Sequence, residues 1–249
     1  MALLKRQALG QFARTSGVFV WLAVLSGAIG YVALGQAAAE HKVTDFDEIN
    51  VHRINIIEPD GKPRVIISDR ARMAGLYWGG KEYRHPSRDT GGFLFFNDDG
   101  DEVGGMTFEN RRKGEHSSAS SGLLFDQYKQ DQTLGLLYNE EDGKRQVGLT
   151  VWDRANQSMQ PVVELSDALA GARTEEERAA IRARLDAAVK SWGPHPAALR
   201  FFAGKTLDDA VVQLADKEGR PRLLLKVDGS GNPTIETLDE SGKVTHHLP

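Results

Sequence analysis

The chain has 249 residues, of which 27% are charged and 40% hydrophobic, with a formal net charge of −4. That length admits one medium domain plus an anchor or an insertion, and the composition is globular rather than disordered. The small net charge gives no footing for a nucleic-acid partner, and the absence of cysteine removes disulfides, thiolate zinc sites, iron–sulfur clusters and cysteine nucleophiles.

Lys5, Arg6 and Arg14 precede an uncharged apolar run over residues 18–34, with Trp21 at one end and Tyr31 near the other. At about 1.5 Å per residue, a helix of that run covers most of a hydrocarbon core about 30 Å thick. Glu40, Asp45, Asp47 and Glu48 follow. The charge asymmetry predicts residues 1–16 in the cytoplasm, a membrane segment over 17–36, a linker over 37–48 and everything after it across the membrane. A signal peptide is the alternative. Ala37-Ala38-Ala39 before Glu40 has the small-residue character of a cleavage site, and cleavage near Ala39 would leave a periplasmic or secreted protein. The run is longer than the usual signal core of about 7–15 residues, which favours the uncleaved anchor.

From about residue 49 to the end the dominant period is two. Leu134, Leu136 and Tyr138 share a face, as do Val147, Leu149 and Val151, and Leu223, Leu225 and Val227. An acidic turn with glycine recurs between such runs, around Gly61, Gly100, Gly143, Gly219 and Gly242. Glycine takes a positive φ without steric cost, so each turn predicts a β-hairpin. Glycines roughly forty residues apart from Gly61 to Gly143 suggest a repeat. One amphipathic helix interrupts it, within an insertion at about residues 162–192. Thr174 and Glu177 form a capping box, Ile181, Leu185, Ala188, Val189 and Trp192 share a face, and Gly193-Pro194 ends the helix. The expected fold is mainly β: serial antiparallel hairpins closed into a barrel or a small propeller-like ring, with a sandwich less favoured.

Three stretches carry a resemblance. They are residues 47–61, Gly92-Phe93-Leu94-Phe95-Phe96-Asn97-Asp98-Asp99-Gly100, and Phe125-Asp126-Gln127-Tyr128-Lys129-Gln130-Asp131-Gln132. Over roughly residues 45–155 the chain resembles a family of uncharacterised bacterial proteins with an N-terminal hydrophobic segment and a β-rich domain. The resemblance implies a bacterial envelope setting and no activity. With the charge pattern, it predicts a single-pass inner-membrane protein with an extracytoplasmic C-terminal domain.

No glycine-rich phosphate loop, His-Glu-x-x-His or Gly-x-Ser-x-Gly is present, and no cofactor or metal is expected. Asp98, Asp99 and Asp101 share one turn but lack the spacing of a calcium loop, so solvated turn residues are the expectation. His246 and His247 are adjacent in a strand and so point to opposite faces. Residues 73–88 form a long loop on this pattern, holding Tyr77, Trp78, Tyr83, His85 and Arg88, the composition of an interaction surface. Its aromatics suit packing against the β-domain equally well. Asp126 and Tyr128 share a face if their segment is extended, which suits a ligand groove or a wide hairpin loop. The first functional expectation is a non-catalytic, membrane-tethered β-domain that binds an envelope protein or a small ligand. The second is an envelope hydrolase with Asp126 and Asp131 as paired carboxylates, and the third a purely structural module.

Overall fold

The computed structural model describes residues 43–85 and 88–248. The membrane or signal segment expected over 17–36 lies outside the described residues, among which no helix is long and apolar enough to cross a membrane. The chain divides between Asn50 and Val51 into two units. Residues 43–50 of the first contain no helix or strand.

The second unit is mainly β, and the described residues are 50% strand against 15% helix. Twelve strands make one continuous antiparallel sheet: β1 (Arg53–Ile57), β2 (Pro63–Ser68), β5 (Gly91–Phe96), β6 (Glu102–Lys113), β7 (His116–Asp126), β8 (Gln132–Glu141), β9 (Lys144–Arg154), β10 (Ala197–Thr206), β11 (Asp209–Ala215), β12 (Pro221–Val227), β13 (Pro233–Leu238) and β14 (Val244–Leu248), in that order. Between β2 and β5 lies a separate hairpin, β3 (Leu76–Trp78) with β4 (Lys81–Tyr83). Between β9 and β10 lie α1 (Gln160–Gly171) and α2 (Glu175–Lys190).

Three expectations are corrected. The sheet closes neither into a barrel nor into separate propeller blades, because β1 and β14 remain its two edges. Turn chemistry specifies which neighbours pair, whereas closure needs β1 to meet β14. Both edge strands have only five residues, and short edges limit strand addition by other chains. The forty-residue interval is not a structural repeat. From Gly61 to Gly100 it spans β2 to β5, including the separate hairpin, and from Gly100 to Gly143 it spans β6 to β8. Finally, the single helix is a helix pair. Thr174 accepts a hydrogen bond from the Glu177 N–H at 3.1 Å, so α2 begins where the capping box places it. The Glu177 carboxylate returns to the Arg173 N–H at 2.9 Å. Residues ahead of that cap form α1, with Pro161 in its first turn, where a missing N–H costs nothing.

The glycine turns are of two kinds. Those of residues 58–62, 97–101, 216–220, 228–232 and 239–243 span five residues, with the first N–H donating to the fifth carbonyl. In the 140–144 turn Glu141 pairs directly with Lys144, and Asp142 and Gly143 have φ of 48° and 81°. That is a two-residue turn whose twist suits tightly paired strands.

Paired residues share a face of the sheet. On one face, Ile66, Leu94, Gly105, Leu124, Gly135, Thr150 and Phe202 form a row across seven strands. The β3–β4 hairpin covers the first part of this face. Ile66, Ala74, Leu94 and Phe96 make a buried cluster with Met73 and Tyr77 against it, and the Tyr77 ring meets Phe96 edge-on at 5.2 Å. On the opposite, open face the neighbouring row is Ile67, Phe93, Met106, Leu123, Leu136, Leu149, Ala203, Val212, Leu225 and Ile235. Leu136 is 54% exposed and Ile235 43%.

Candidate functional site

The segment read as a long loop over residues 73–88 is mostly the β3–β4 hairpin, turned at Gly79 and Gly80 with φ of 60° and 75°. A Gly-Gly pair between two short apolar runs is itself a hairpin signal. The turn is pinned to the sheet. The Gly80 N–H donates to the Gly100 carbonyl at 3.0 Å, and the Gly79 N–H donates to Asp101 Oδ1 at 2.7 Å.

Asp101 is only 1% exposed, so this turn aspartate is not solvated. Lys129 Nζ lies 2.5 Å from Asp101 Oδ2 and 2.9 Å from Asp99 Oδ2. The same ammonium stands 5.5 Å from the Trp78 ring centre and 5.3 Å from that of Tyr128, within cation–π range. Tyr128 donates its hydroxyl to Asp99 Oδ2 at 2.9 Å. Lys129 has a φ of 58° in the turn closed by the Gln127 N–H donating to the Asp131 carbonyl at 3.0 Å. Asp98, the third acid of the turn, pairs with Arg64. Among the described residues no group of acidic and histidine side chains is arranged to hold a metal ion.

Trp78 is buried, at 6% exposed, and packs under Lys129. Tyr77 is partly buried, and its hydroxyl donates to Glu82 at 3.0 Å. Tyr83 is half-buried with Lys81 over its ring at 4.4 Å. The hairpin's exit is fastened by Arg84, whose Nε donates to Asp167 of α1 at 2.8 Å.

A charged cluster lies at the end of the sheet that carries the five-residue turns of β5–β6 and β11–β12. Glu102 sits at a β-bulge opposite Phe96, and Asp126 at a second bulge opposite Gln132. Arg88 donates to the Gly75 carbonyl at 2.6 Å and to Glu102 Oε1 at 2.5 Å. Arg154 donates to the Gln132 carbonyl and stands 3.6 Å from Asp131 Oδ2. Asp126 Oδ1 and Glu102 Oε2 are buried with no hydrogen-bond partner among the described residues. Burial, then the negative charges of Glu102 and Asp131, push the Asp126 carboxyl up to about 7. Burial also raises Glu102, against the opposing pull of Arg88. Burial and then Arg88 hold His85 below its usual value, while Asp131 pulls the other way. The arrangement favours a proton on Asp126 up to near neutrality.

His246 and His247 pair across the strand with Thr237 and Glu236 respectively. Their Nδ1 atoms reach Thr237 Oγ1 at 3.1 Å and Glu236 Oε1 at 3.2 Å, on opposite faces.

Two features were not singled out from sequence. One is Glu102, whose only signal was an acid at the start of an apolar strand. The other is the open sheet face, whose apolar alternation was legible but whose lack of a cover was not. Met106, Phe108, Leu123, Leu136, Leu149 and Ala203 help line a groove of about 540 Å³ there. A second hollow, of about 430 Å³, is lined by Ala210, Val212, Leu225 and Ile235 among others. Val212 pairs with Ala203, so the second hollow adjoins the first.

No protein-family model and no curated protein matches the chain.

Proposed function

We propose that the chain is a non-catalytic, membrane-tethered binding domain at the bacterial cell envelope, and that its open sheet face takes a lipid acyl chain. The observation that carries this is the apolar groove crossing β6 to β13. Among all residues lining its two hollows, Lys226 alone is charged. A sheet face of this kind normally lies against another layer, and uncovered apolar patches mark binding sites. A linear apolar chain fits a groove that runs across successive strands. The anchor expected at residues 18–34 would keep the domain beside a bilayer, a source of such chains.

Burial of Asp126 and the ion pair between Asp131 and Arg154 support the non-catalytic reading over the hydrolase. Paired carboxylate chemistry needs both groups open to a substrate and its water.

The test uses the full chain in phosphatidylcholine nanodiscs doped with a phospholipid bearing a diazirine on its acyl chain. Photolysis followed by peptide mapping should place adducts on β7, β8 and β9 as well as on residues 18–34. Leu136→Glu combined with Leu225→Glu should cut the sheet adducts by about tenfold or more, because a carboxylate in an apolar groove is left unpaired. Both leucines are exposed, at 54% and 39%, so melting should change little. Adducts confined to residues 18–34 would sink the proposal. So would a concentration-dependent dimer abolished by the same double substitution, which would make a second copy the occupant.

A further inference from the structure

We infer that the chain carries a second, independent binding site: a polar trough on the hairpin-bearing face, suited to a neutral, linear, polyhydroxylated ligand such as an oligosaccharide. The trough has a volume of about 840 Å³ and lies at the far end of the long strands β6 to β9, beside the two-residue turns. One register row crosses it: Glu109, Ser120, Asn139, Gln146 and Thr206. Successive members stand on adjacent strands, about 4.8 Å apart. That spacing is close to the advance of one pyranose unit along a glycan, so a chain laid across the strands meets a new polar side chain at each unit.

The chemistry of the lining selects the ligand. Glu109, Glu140, Glu141 and Asp142 face Arg111, Lys144 and Arg145, four acids against three bases, a local net of −1. Arg111 pairs with Glu109 at 3.2 Å and Arg145 with Glu140 at 2.6 Å, so two of the three cations are already engaged and, against four acids, an anionic ligand gains little. Asn139, Gln146 and Thr206 make no side-chain hydrogen bond among the described residues. An amide offers donors and an acceptor together, and a hydroxyl does the same. That pairing matches a sugar hydroxyl, which also both donates and accepts.

Leu207 supplies an apolar rim to the trough. It sits at the rim in the turn between β10 and β11, is 54% exposed, and has a φ of 54°. A two-residue turn between the paired Thr206 and Asp209 calls for that positive φ, which leucine adopts only at a steric cost. Its N–H donates to the Arg145 carbonyl at 2.8 Å, which holds the turn against the trough. An exposed aliphatic group beside free amides is what the C–H face of a sugar ring can rest on.

The experiment is saturation-transfer difference NMR on the full chain in phosphatidylcholine nanodiscs, which carry no sugar headgroup. The probes are maltohexaose, chitohexaose and hexagalacturonate. Transfer to at least one of the two neutral hexasaccharides is expected. Asn139→Ala with Gln146→Ala should weaken it by about tenfold or more, as loss of two ordinary hydrogen-bonding partners does. Leu207→Gly should weaken it severalfold while raising the melting temperature, since glycine relieves the strained φ. Both variants are surface changes, and unchanged circular dichroism would show that they fold. No transfer to either neutral probe, transfer to hexagalacturonate alone, or equal transfer to wild type and the double variant would each overturn the inference. None of these outcomes bears on the acyl-chain groove, which lies on the opposite face and is read by a different probe.

Discussion

Replacing Trp78 with alanine should destabilise the β-domain by about 3–5 kcal/mol, the range for deleting a large buried aromatic. For a domain of this size that is a fall of roughly 10 °C in melting temperature. The ring is 6% exposed and lies beneath the Lys129 ammonium. Its loss also uncovers Lys129, which neutralises Asp101, itself 1% exposed. Part of the cost is therefore electrostatic: a buried carboxylate loses some of its shielding from water. Tyr128→Ala is the control, because that ring is 67% exposed and touches the same lysine. It should cost no more than about 1 kcal/mol, as surface changes usually do. Chemical denaturation of both variants would check the pair. Equal, small losses would show that Trp78 is not part of the core.

Stability should fall as pH rises from about 5 to about 8.5, and Asp126→Asn should remove most of that slope. The folded carboxyl is held at about 7 against an ordinary value of 3.8. A group whose pKa is raised by folding contributes its full stabilisation below the unfolded value, and loses it as pH climbs through the folded one. The gap corresponds to about 4 kcal/mol at its limit, at 1.36 kcal/mol for each tenfold change. Glu102, also raised by burial, acts in the same direction. His85 acts in the opposite one. Its pKa is lowered, so its term grows as pH rises towards the ordinary value of 6.5. The aspartates with depressed values, such as Asp69, Asp99 and Asp142, lose their contribution only in acid and leave this window clear. Wild type and Asp126→Asn should thus differ most at pH 8.5, with the variant the more stable. Denaturation midpoints across the range provide the measurement. Parallel profiles for the two proteins would show that Asp126 is not the titrating group.

The sequence by itself determined the mainly β, antiparallel character, the hairpins at its acidic glycine turns and the start of the second helix. Each of those rests on residues close in the chain. Alternation places Leu134, Leu136 and Tyr138 on one face, glycine at Gly100 or Gly242 permits the turn, and Thr174 caps the helix through Glu177 three residues on. Several site residues were also named in advance, including Trp78, Arg88, Asp126 and Tyr128, because bulky aromatics and charges within an apolar β pattern stand out. Their roles were decided only by tertiary structure. Asp101 is buried because Lys129, 28 positions away, reaches it, and the hairpin exit is fixed by Asp167, 83 positions from Arg84. Whether the sheet closes depends on β1 meeting β14, and which face stays open depends on where the β3–β4 hairpin and the helix pair lie. Such pairings join residues distant in sequence. Alternation and turn chemistry carry no information about them, because both act over only a few neighbouring residues.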